Sequence, residues 1–310
     1  MHRPVLYHQI ISALQPEPNG LYVDCTLGAG GHAWGILEAS TPGGQLLGLD
    51  VDPQALALAR ERLAEFGERA RIVQASYVTL SEQLQAQGWS EVQGILLDLG
   101  VSSMQLDTAE RGFSFQTDAP LDMRFDPENP VSAASLVNQL PESELADLLY
   151  RYGEEKRSRQ VAKAIVQARP LRTTGELAAV VSKATRGGRP GLHPATRTFQ
   201  ALRIAVNREL EAVERVLPQA VAALAPGGRL AVISFHSLED RIVKGYFRQE
   251  SQDCICPPKQ PVCTCGHRAS IKELNRKPLE ADEDEVRDNP RARSAKLRVV
   301  ERLPSETGLA

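Results

Sequence analysis

Short apolar runs recur along the chain and are separated by segments with helical periodicity. The runs lie at 21–26, 45–51, 70–75, 92–99 and 229–235. Strands that alternate with helices in this way form a parallel sheet with helices on both faces. We therefore predict a doubly wound, Rossmann-like α/β fold. The segment 53–66 opens with a proline and repeats apolar residues three and four apart, which predicts a covering helix.

The alternation stops between the fourth and fifth runs for more than a hundred residues, which is too long for an ordinary βα connection. Helical patterns occupy this interval at 142–150, 157–168 and 174–185, and glycines break the pattern at 186–191. We therefore predict an all-helical domain inserted into the α/β domain.

The chain returns to the sheet through a long helical pattern at 194–224, in which Pro218 predicts a kink or a boundary. A Pro-Gly-Gly turn at 226–228 precedes the fifth strand, and alternation at 295–302 predicts an edge strand. The predicted parts of the chain are a discontinuous α/β domain at 1–107 and 209–303, the insert at 108–208, and a disordered tail at 304–310.

Length and composition indicate a soluble globular protein. The 310 residues suffice for one large or two moderate domains, and 42% are hydrophobic and 24% charged. No apolar stretch approaches the ~18 residues that cross a bilayer. The N-terminus lacks the apolar run of a secretion signal. We therefore expect a cytoplasmic protein without a membrane segment.

Charge is segregated along the chain although the net charge is only −3. Residues 156–208 contain twelve Lys or Arg and a single acidic residue, Glu176. Such asymmetry creates a strong local potential on a slightly acidic protein. We interpret the basic segment 156–208 as a site for a polyanion; ordinary solvated helix faces are the alternative.

A glycine-rich turn follows the first predicted strand. Asp24 ends the strand, and Gly28, Gly30 and Gly31 allow a tight bend and close approach of a ligand. The second strand ends in Asp50, close to the ~20-residue spacing at which an acid binds ribose hydroxyls. Together these features indicate an adenosine cofactor, and a glycine turn without a ligand is the alternative.

Asp24 distinguishes between adenosine cofactors. Residues 28–33 also fit the G-x-G-x-x-G/A pattern of nicotinamide and flavin enzymes, which place a pyrophosphate at this turn. A carboxylate would repel that group. S-adenosylmethionine has no phosphate and carries a sulfonium and an ammonium, which a carboxylate attracts. The sequence therefore favours S-adenosylmethionine.

Two further strand ends carry candidate chemistry. Methyl transfer to an exocyclic amine needs hydrogen-bond acceptors for the amine protons, and Asp98 at the end of the fourth strand is the first candidate. Transfer to a ring carbon of a pyrimidine would need a cysteine there, and the sequence has none. His236, after the fifth strand, is a second candidate proton acceptor or a structural residue.

Four cysteines form a C-x-C-x6-C-x-C pattern, at Cys254, Cys256, Cys263 and Cys265. This pattern permits a tetrathiolate site for a structural zinc, with His267 as an alternative ligand, but it lacks the usual two-residue spacing. Disulfides are disfavoured in a reducing cytosol. Because ordinary reduced thiols are the alternative, we assign no metal ligand from the sequence.

Six ordered motifs, at 24–32, 94–103, 110–115, 120–124, 193–203 and 234–241, carry a resemblance to a known family. The chain resembles, nearly end to end, the bacterial RsmH/MraW family of 16S ribosomal RNA cytosine-N4 methyltransferases. The resemblance implies a class I S-adenosylmethionine-dependent methyltransferase fold with an inserted helical substrate-recognition domain. It also implies methylation of a cytidine in the decoding region of the small ribosomal subunit.

The resemblance implies cofactor contacts at the matching positions of this chain. They are Gly30, Gly31, His32, Asp50, Tyr77, Asp98 and Gln105. It also implies that the basic segment 156–208 holds 16S rRNA, while the oligomeric state, including a homodimer, stays open.

Two other functions compete with this interpretation. A DNA amino-methyltransferase shares the amine chemistry, but its Asp/Asn/Ser-Pro-Pro-aromatic signature is replaced after the fourth strand by Asp98-Leu-Gly-Val. A ribosome-assembly factor that binds RNA and uses the cofactor only as a ligand is the alternative from another class.

Overall fold

The computed structural model describes residues 4–185, 193–258 and 260–304. Within these ranges the strands are β1 (Leu21–Asp24), β2 (Gln45–Asp50), β3 (Ala70–Gln74), β4 (Val92–Asp98), β5 (Leu224–Ser234), β6 (Ile271–Glu273) and β7 (Lys296–Arg302).

The first helices are α1 (Tyr7–Leu14), α2 (Gly31–Ala39), α3 (Pro53–Arg62), α4 (Leu80–Ala86), α5 (Ser103–Asp107), α6 (Ala133–Gln139) and α7 (Glu142–Gly153). They are followed by α8 (Ser158–Ala168), α9 (Thr174–Thr185), α10 (Thr196–Asn207), α11 (Glu209–Ala223), α12 (Ser237–Glu250) and α13 (Glu283–Asp288). Short 3₁₀ turns cover Ala64–Arg69, Tyr77–Thr79, Ala109–Arg111 and Pro290–Ser294.

The strands form one sheet in the order β3-β2-β1-β4-β5-β7-β6. Strands β1 to β5 pair in parallel, and β7 pairs antiparallel with β5 and with β6. The carboxyl ends of β1 to β5 therefore lie along one edge, where ligands bind in doubly wound sheets. The prediction of a Rossmann-like class I α/β fold is confirmed.

Alternation along the strands builds two apolar cores. Val23 of β1 joins one core with Leu47, Ile95 and helices α4, α11 and α12, whereas its neighbour Tyr22 joins the other with helices α1, α2 and α3. Successive strand residues point to opposite faces, so a strand that is buried on both faces reads as a continuous apolar run. This is why the sequence shows apolar runs rather than alternation.

Two predicted elements have different ends in the structure. The helix predicted at 53–66 ends at Arg62 as α3, with Leu63 as its C-cap, and the chain continues in the 3₁₀ turn Ala64–Arg69, where Gly67 has non-helical φ of 55°. Strand β5 begins at Leu224 rather than at 229, because Leu224 pairs with Val92 and the predicted turn at 226–228 is an irregularity within the strand.

The helical pattern at 194–224 is broken at Arg208, not at Pro218. Arg208 has φ 50° between α10 and α11, and Pro218 lies inside α11. The break follows from Asn207, whose Oδ1 accepts a hydrogen bond from the Phe125 N–H at 2.7 Å and whose Nδ2 donates to the Met123 carbonyl at 2.7 Å. These contacts with a distant loop end α10.

The chain folds into two units, Met1–Gly100 with Leu210–Ala310 and Val101–Glu209. The second unit packs helices α6 to α10 around its own apolar core. Residues 101–107, which the sequence placed with the sheet, belong to the helical unit because Val101 and Leu106 pack on that core. The loop expected at 186–191 and residues 305–310 of the expected tail lie outside the described residues.

None of the helices in the described ranges combines the length and the apolar character that spanning a bilayer requires.

Candidate active site

Three carboxylates end three neighbouring strands of the sheet. Asp24 is the last residue of β1, Asp50 of β2 and Asp98 of β4, and β1 lies between the other two strands. Because the strands are parallel, the three side chains share one edge. Asp24 is buried, and Asp50 and Asp98 are half-buried. The sheet order thus brings together three positions that are far apart in the sequence.

Asp50 shapes the glycine turn that follows β1. Its Oδ2 accepts a hydrogen bond from the Gly28 N–H at 2.8 Å, and its Oδ1 accepts one from the Asp52 N–H at 2.9 Å. Burial raises the pKa of the Asp50 carboxyl above its ordinary value, and the two N–H groups oppose that rise. Asp50 therefore positions the turn besides being a candidate ribose ligand.

The glycines of the turn serve different purposes. Gly28 and Gly30 have φ of 51° and 75°, in the left-handed region that favours glycine. A Cβ at Gly30 would lie 3.2 Å from Leu63 Cδ1, and one at Gly31 would lie 2.4 Å from Pro4 Cγ. Gly30 and Gly31 thus allow close packing behind the turn, and their predicted cofactor contact would use backbone atoms.

His32 lies in the first turn of α2 and is 5% exposed. Its Nε2 is 3.7 Å from Asp98 Oδ2. Among the described residues, neither ring nitrogen of His32 nor Oδ1 of Asp98 has a hydrogen-bond partner. Buried polar atoms without partners are costly and rare. These atoms therefore mark a place where a polar ligand would be held.

Asp24 has a strongly perturbed carboxyl group. Complete burial raises its pKa to about 7, although His32 and the Thr26 N–H oppose the rise. Asp98 and Asp50 add to the rise because they bring further negative charge to the same strand ends. A cationic ligand at this edge would favour the charged carboxylate and lower the pKa of Asp24, whereas a phosphate would add to the negative charge.

Tyr77 and Gln105 lie in different parts of the fold. Tyr77 is half-buried and opens the 3₁₀ turn after β3, whose Gln74 pairs with Asp50, so it lies at the same edge as Asp50. Gln105 belongs to the helical unit. Its Oε1 accepts a hydrogen bond from the Ser102 N–H at 3.0 Å, so its side chain caps α5. Contact of either residue with a cofactor stays a prediction.

His236 caps α12 after the end of β5. Its Nδ1 accepts a hydrogen bond from the Glu239 N–H at 3.3 Å, and its Nε2 is 3.2 Å from Glu239 Oε1. With Nδ1 as an acceptor, a neutral imidazole carries its proton on Nε2. This arrangement supplies a structural role for His236, and its predicted role as a proton acceptor stays untested.

Two residues of this edge were missed by the sequence reasoning. Thr26 Oγ1 accepts a hydrogen bond from the Asp98 N–H at 2.7 Å and so ties the end of β1 to the end of β4. The sequence signal that could have identified Thr26 is a hydroxyl residue two positions after Asp24, the acid that ends β1. Tyr7 stacks on His32 with ring centroids 6.2 Å apart, and no local pattern indicates that contact.

The basic segment divides into exposed and engaged side chains. Arg203 forms a bidentate ion pair with Glu209 at 2.9 Å, and Arg169 donates to the carbonyls of Val137 and Leu140. These two arginines hold the helical unit together. On α8 and just before it, Lys156, Arg159 and Lys163 are exposed, and so is Arg157, whose guanidinium also donates to the Thr185 carbonyl.

Comparison with known proteins identifies relatives along nearly the whole chain. A family model described as the MraW methylase family matches residues 1–303. A protein of Dehalococcoides mccartyi named Ribosomal RNA small subunit methyltransferase H is 53% identical over 302 residues, covering 97% of this chain and 86% of the relative. A protein of Geobacter sulfurreducens with the same name is 53% identical, covering 97% and 99%.

Solved structures superpose more loosely. An rRNA methylase from Streptococcus thermophilus covers 98% of this chain and 99% of its own, with 11% identity and a TM-score of 0.45.

Proposed function

This chain belongs to the MraW methylase family, and from that membership we propose that it transfers a methyl group from S-adenosylmethionine to the exocyclic N4 of a cytidine in 16S rRNA. The target lies in the decoding region of the small ribosomal subunit. The name shared by its relatives, ribosomal RNA small subunit methyltransferase H, supports the choice of RNA. The N4 position and the decoding region come from the motif resemblance.

The cluster of Asp24, Asp50 and Asp98 at three adjacent strand ends is the observation that carries the proposal. It concentrates negative charge beside a glycine turn, which suits a nucleoside that is cationic and lacks phosphate. In this proposal Asp50 binds the ribose hydroxyls, Tyr77 lies against the adenine, and the buried polar atoms of His32 gain a partner. The residues present therefore fit the cofactor.

When bound, S-adenosylmethionine supplies an electrophilic methyl group and becomes S-adenosylhomocysteine. Asp98 accepts a hydrogen bond from the N4 amino group and thereby orients the nitrogen lone pair. Asp98 would take the proton that N4 loses as the N4–carbon bond forms and the sulfur–carbon bond of the donor breaks, and would pass that proton on to water. No covalent bond to the protein is needed, so the reaction requires no cysteine at the strand ends.

We place the RNA backbone along the exposed basic face of α8. Arg159 and Lys163 are one helical turn apart and share a face, and Lys156 precedes them, whereas the Arg157 guanidinium donates to the Thr185 carbonyl. Basic side chains that are exposed and without competing acids bind phosphates by counterion release. Arg169 and Arg203 are excluded from this role because their guanidinium groups are engaged within the helical unit.

The test is incubation of the protein and labelled methyl donor with small subunits from a strain that lacks this methylation. We expect label in a 16S rRNA cytidine, which digestion to nucleosides identifies as N4-methylated. Naked 16S rRNA in parallel determines whether the assembled particle is the substrate.

Two outcomes would overturn the proposal. Label that enters only DNA would assign the chain to the amino-methyltransferases of DNA. Binding of the cofactor and the subunit without transfer would make it an assembly factor. A sample with Asp98→Asn in place of the natural chain controls for contaminating activity.

A further inference from the structure

Four cysteine sulfurs converge in the loop that joins α12 to β6. The Sγ atom of Cys254 lies 3.5 Å from that of Cys263 and 3.8 Å from that of Cys265. Cys263 is also 3.5 Å from Cys265 and 4.0 Å from Cys256. All four sulfurs lie within 4.8 Å of one another. Residues that are separate pairs in the sequence thus form one cluster.

We propose that Cys254, Cys256, Cys263 and Cys265 bind a single structural zinc ion. Zinc bonds to thiolate sulfur at about 2.3 Å in a tetrahedral site, which places the sulfurs about 3.8 Å apart. Four of the six Sγ–Sγ separations lie between 3.5 and 4.0 Å and bracket that value, and all six lie within 4.8 Å. A disulfide would bring two sulfurs to about 2.05 Å. The spacing therefore matches four ligands around one ion.

The loop has no apolar core of its own that would hold this conformation. Among the described residues of 252–269 none is buried, and Ile255 and Val262 are 45% and 70% exposed. Loops longer than about 12–15 residues without secondary structure are uncommon in compact domains. Short segments that lack a core are commonly stabilised by a structural metal. A zinc ion bound by the four thiolates would stabilise this loop in place of an apolar core.

Polar contacts orient the cluster in the manner of a metal site. The Cys256 N–H donates to Cys254 Sγ at 3.4 Å, and the His267 N–H donates to Cys265 Sγ at 3.5 Å. Such hydrogen bonds typically support metal ligands. The ring Nε2 of His267 instead lies 3.1 Å from the Gln249 carbonyl at the end of α12, so the fourth ligand is a cysteine rather than His267.

The position of the cluster assigns the ion a structural role. The loop leads into β6, whose Ile271 pairs with Arg302 at the end of β7. At this end of β7, Glu301 pairs with Arg229 of β5. The carboxyl end of β5 lies at the other end of β7, where Ser234 pairs with Lys296. The cluster therefore belongs to the sheet edge opposite the candidate active site. Four protein thiolates also leave no open position for a substrate or water.

The test measures metal content in the full-length protein, purified without chelator from cells grown with zinc. We expect about one zinc per chain by mass spectrometry of the metal. The double variant Cys254→Ser/Cys263→Ser should lose it. The matched control is Cys25→Ala, because Cys25 is buried in the sheet core and should not affect metal content. Refolding with Co²⁺ should produce the charge-transfer absorption of a tetrathiolate site.

Several results would overturn the assignment. A natural chain that carries well below one equivalent of zinc and has four reactive thiols would show an empty cluster. An intact mass lowered by two hydrogens per cysteine pair would show disulfides, and stoichiometric iron would assign a different ion. If the double variant fails to fold, the metal content and the Co²⁺ spectrum of the natural chain decide the question. None of these measurements depends on methyl transfer.

Discussion

The Nε2 atom of His32 lies 3.7 Å from Oδ2 of Asp98, although the two residues are on different elements and far apart in the sequence. His32 lies in the first turn of α2 and Asp98 closes β4, and both meet at the carboxyl edge of the sheet. The contact fixes one oxygen of Asp98 beside an imidazole and leaves Oδ1 without a partner among the described residues. We expect the Asp98 carboxylate to meet the substrate amine.

We expect Asp98→Asn to reduce methyl transfer by about 10²-fold or more, because an amide is a weaker acceptor and cannot take the amine proton. Single-turnover transfer of labelled methyl measures the chemistry, and calorimetry measures the affinity for the cofactor. Asp288→Asn, at an exposed aspartate at the end of α13, is the control. Near-normal turnover by Asp98→Asn would contradict the assigned role.

We expect the affinity for S-adenosylmethionine to fall as the pH is lowered through about 7. Burial raises the pKa of Asp24 to about 7, so below this pH the carboxyl is neutral and attracts a cation less. Titrations between about pH 6 and 8 should show a smaller pH effect for S-adenosylhomocysteine, which lacks the sulfonium charge. Asp24→Asn should bind weakly at every pH. An equally steep pH dependence for this variant would assign the effect to another group.

The same carboxyl predicts how the stability of the cofactor-free protein varies with pH. A raised pKa in the folded state means that the folded state holds the proton more tightly. Asp24 therefore stabilises the folded state most at pH values below the pKa of its carboxyl in the unfolded chain, which is about 4. This contribution is lost as the pH rises to about 7. The loss is on the order of 4 kcal/mol. Thermal melts should show Asp24→Asn gaining stability over the natural chain at pH 8 and matching it more closely at acidic pH.

Paired substitutions at His236 separate a helix cap from a proton acceptor. Asparagine can cap a helix, so His236→Asn should retain both stability and methyl transfer if capping is the role. His236→Ala should lose about 1 kcal/mol of stability because the Glu239 N–H loses its partner. Urea unfolding and turnover measure the two effects. A stable His236→Asn variant with a large loss of turnover would instead support the catalytic role.

The exposed face of α8 predicts a salt-dependent loss of RNA affinity. Arg159→Ala/Lys163→Ala should weaken binding and reduce the slope of log K against log salt by about 1.5, since two phosphate contacts are lost. Lys244→Ala/Arg248→Ala removes two exposed charges at the same spacing from α12 and is the matched control. Equal slopes for the two double variants would move the RNA surface away from α8.

The glycine turn predicts a difference between two alanine substitutions. Gly30→Ala combines left-handed backbone with a contact to Leu63 at 3.2 Å, and we expect it to cost about 2–4 kcal/mol. Gly88 has φ 71°, but a Cβ at this position would have nothing within 4 Å, so Gly88→Ala should cost only about 1–2 kcal/mol. Denaturant unfolding measures the stability that each variant loses. Equal losses would show that the contact with Leu63 adds nothing to the cost of the left-handed backbone.

The parallel sheet and the acids at its edge could be predicted from the sequence. Apolar runs such as 45–51 are local patterns, and strands such as β2 end on a polar residue, here Asp50, so no distant contact is needed to place that residue. The parallel arrangement then brings Asp24, Asp50 and Asp98 to one edge without further information.

Features that depend on contacts between distant residues became apparent only in the folded chain. Asn207 ends α10 because it binds the backbone near residue 124, whereas the local signal pointed to Pro218. The four cysteines become a single cluster only when the loop after α12 folds back on itself. A local sequence pattern fixes periodicity and propensity, but it does not fix which side chains meet across the fold, because those contacts are set by packing.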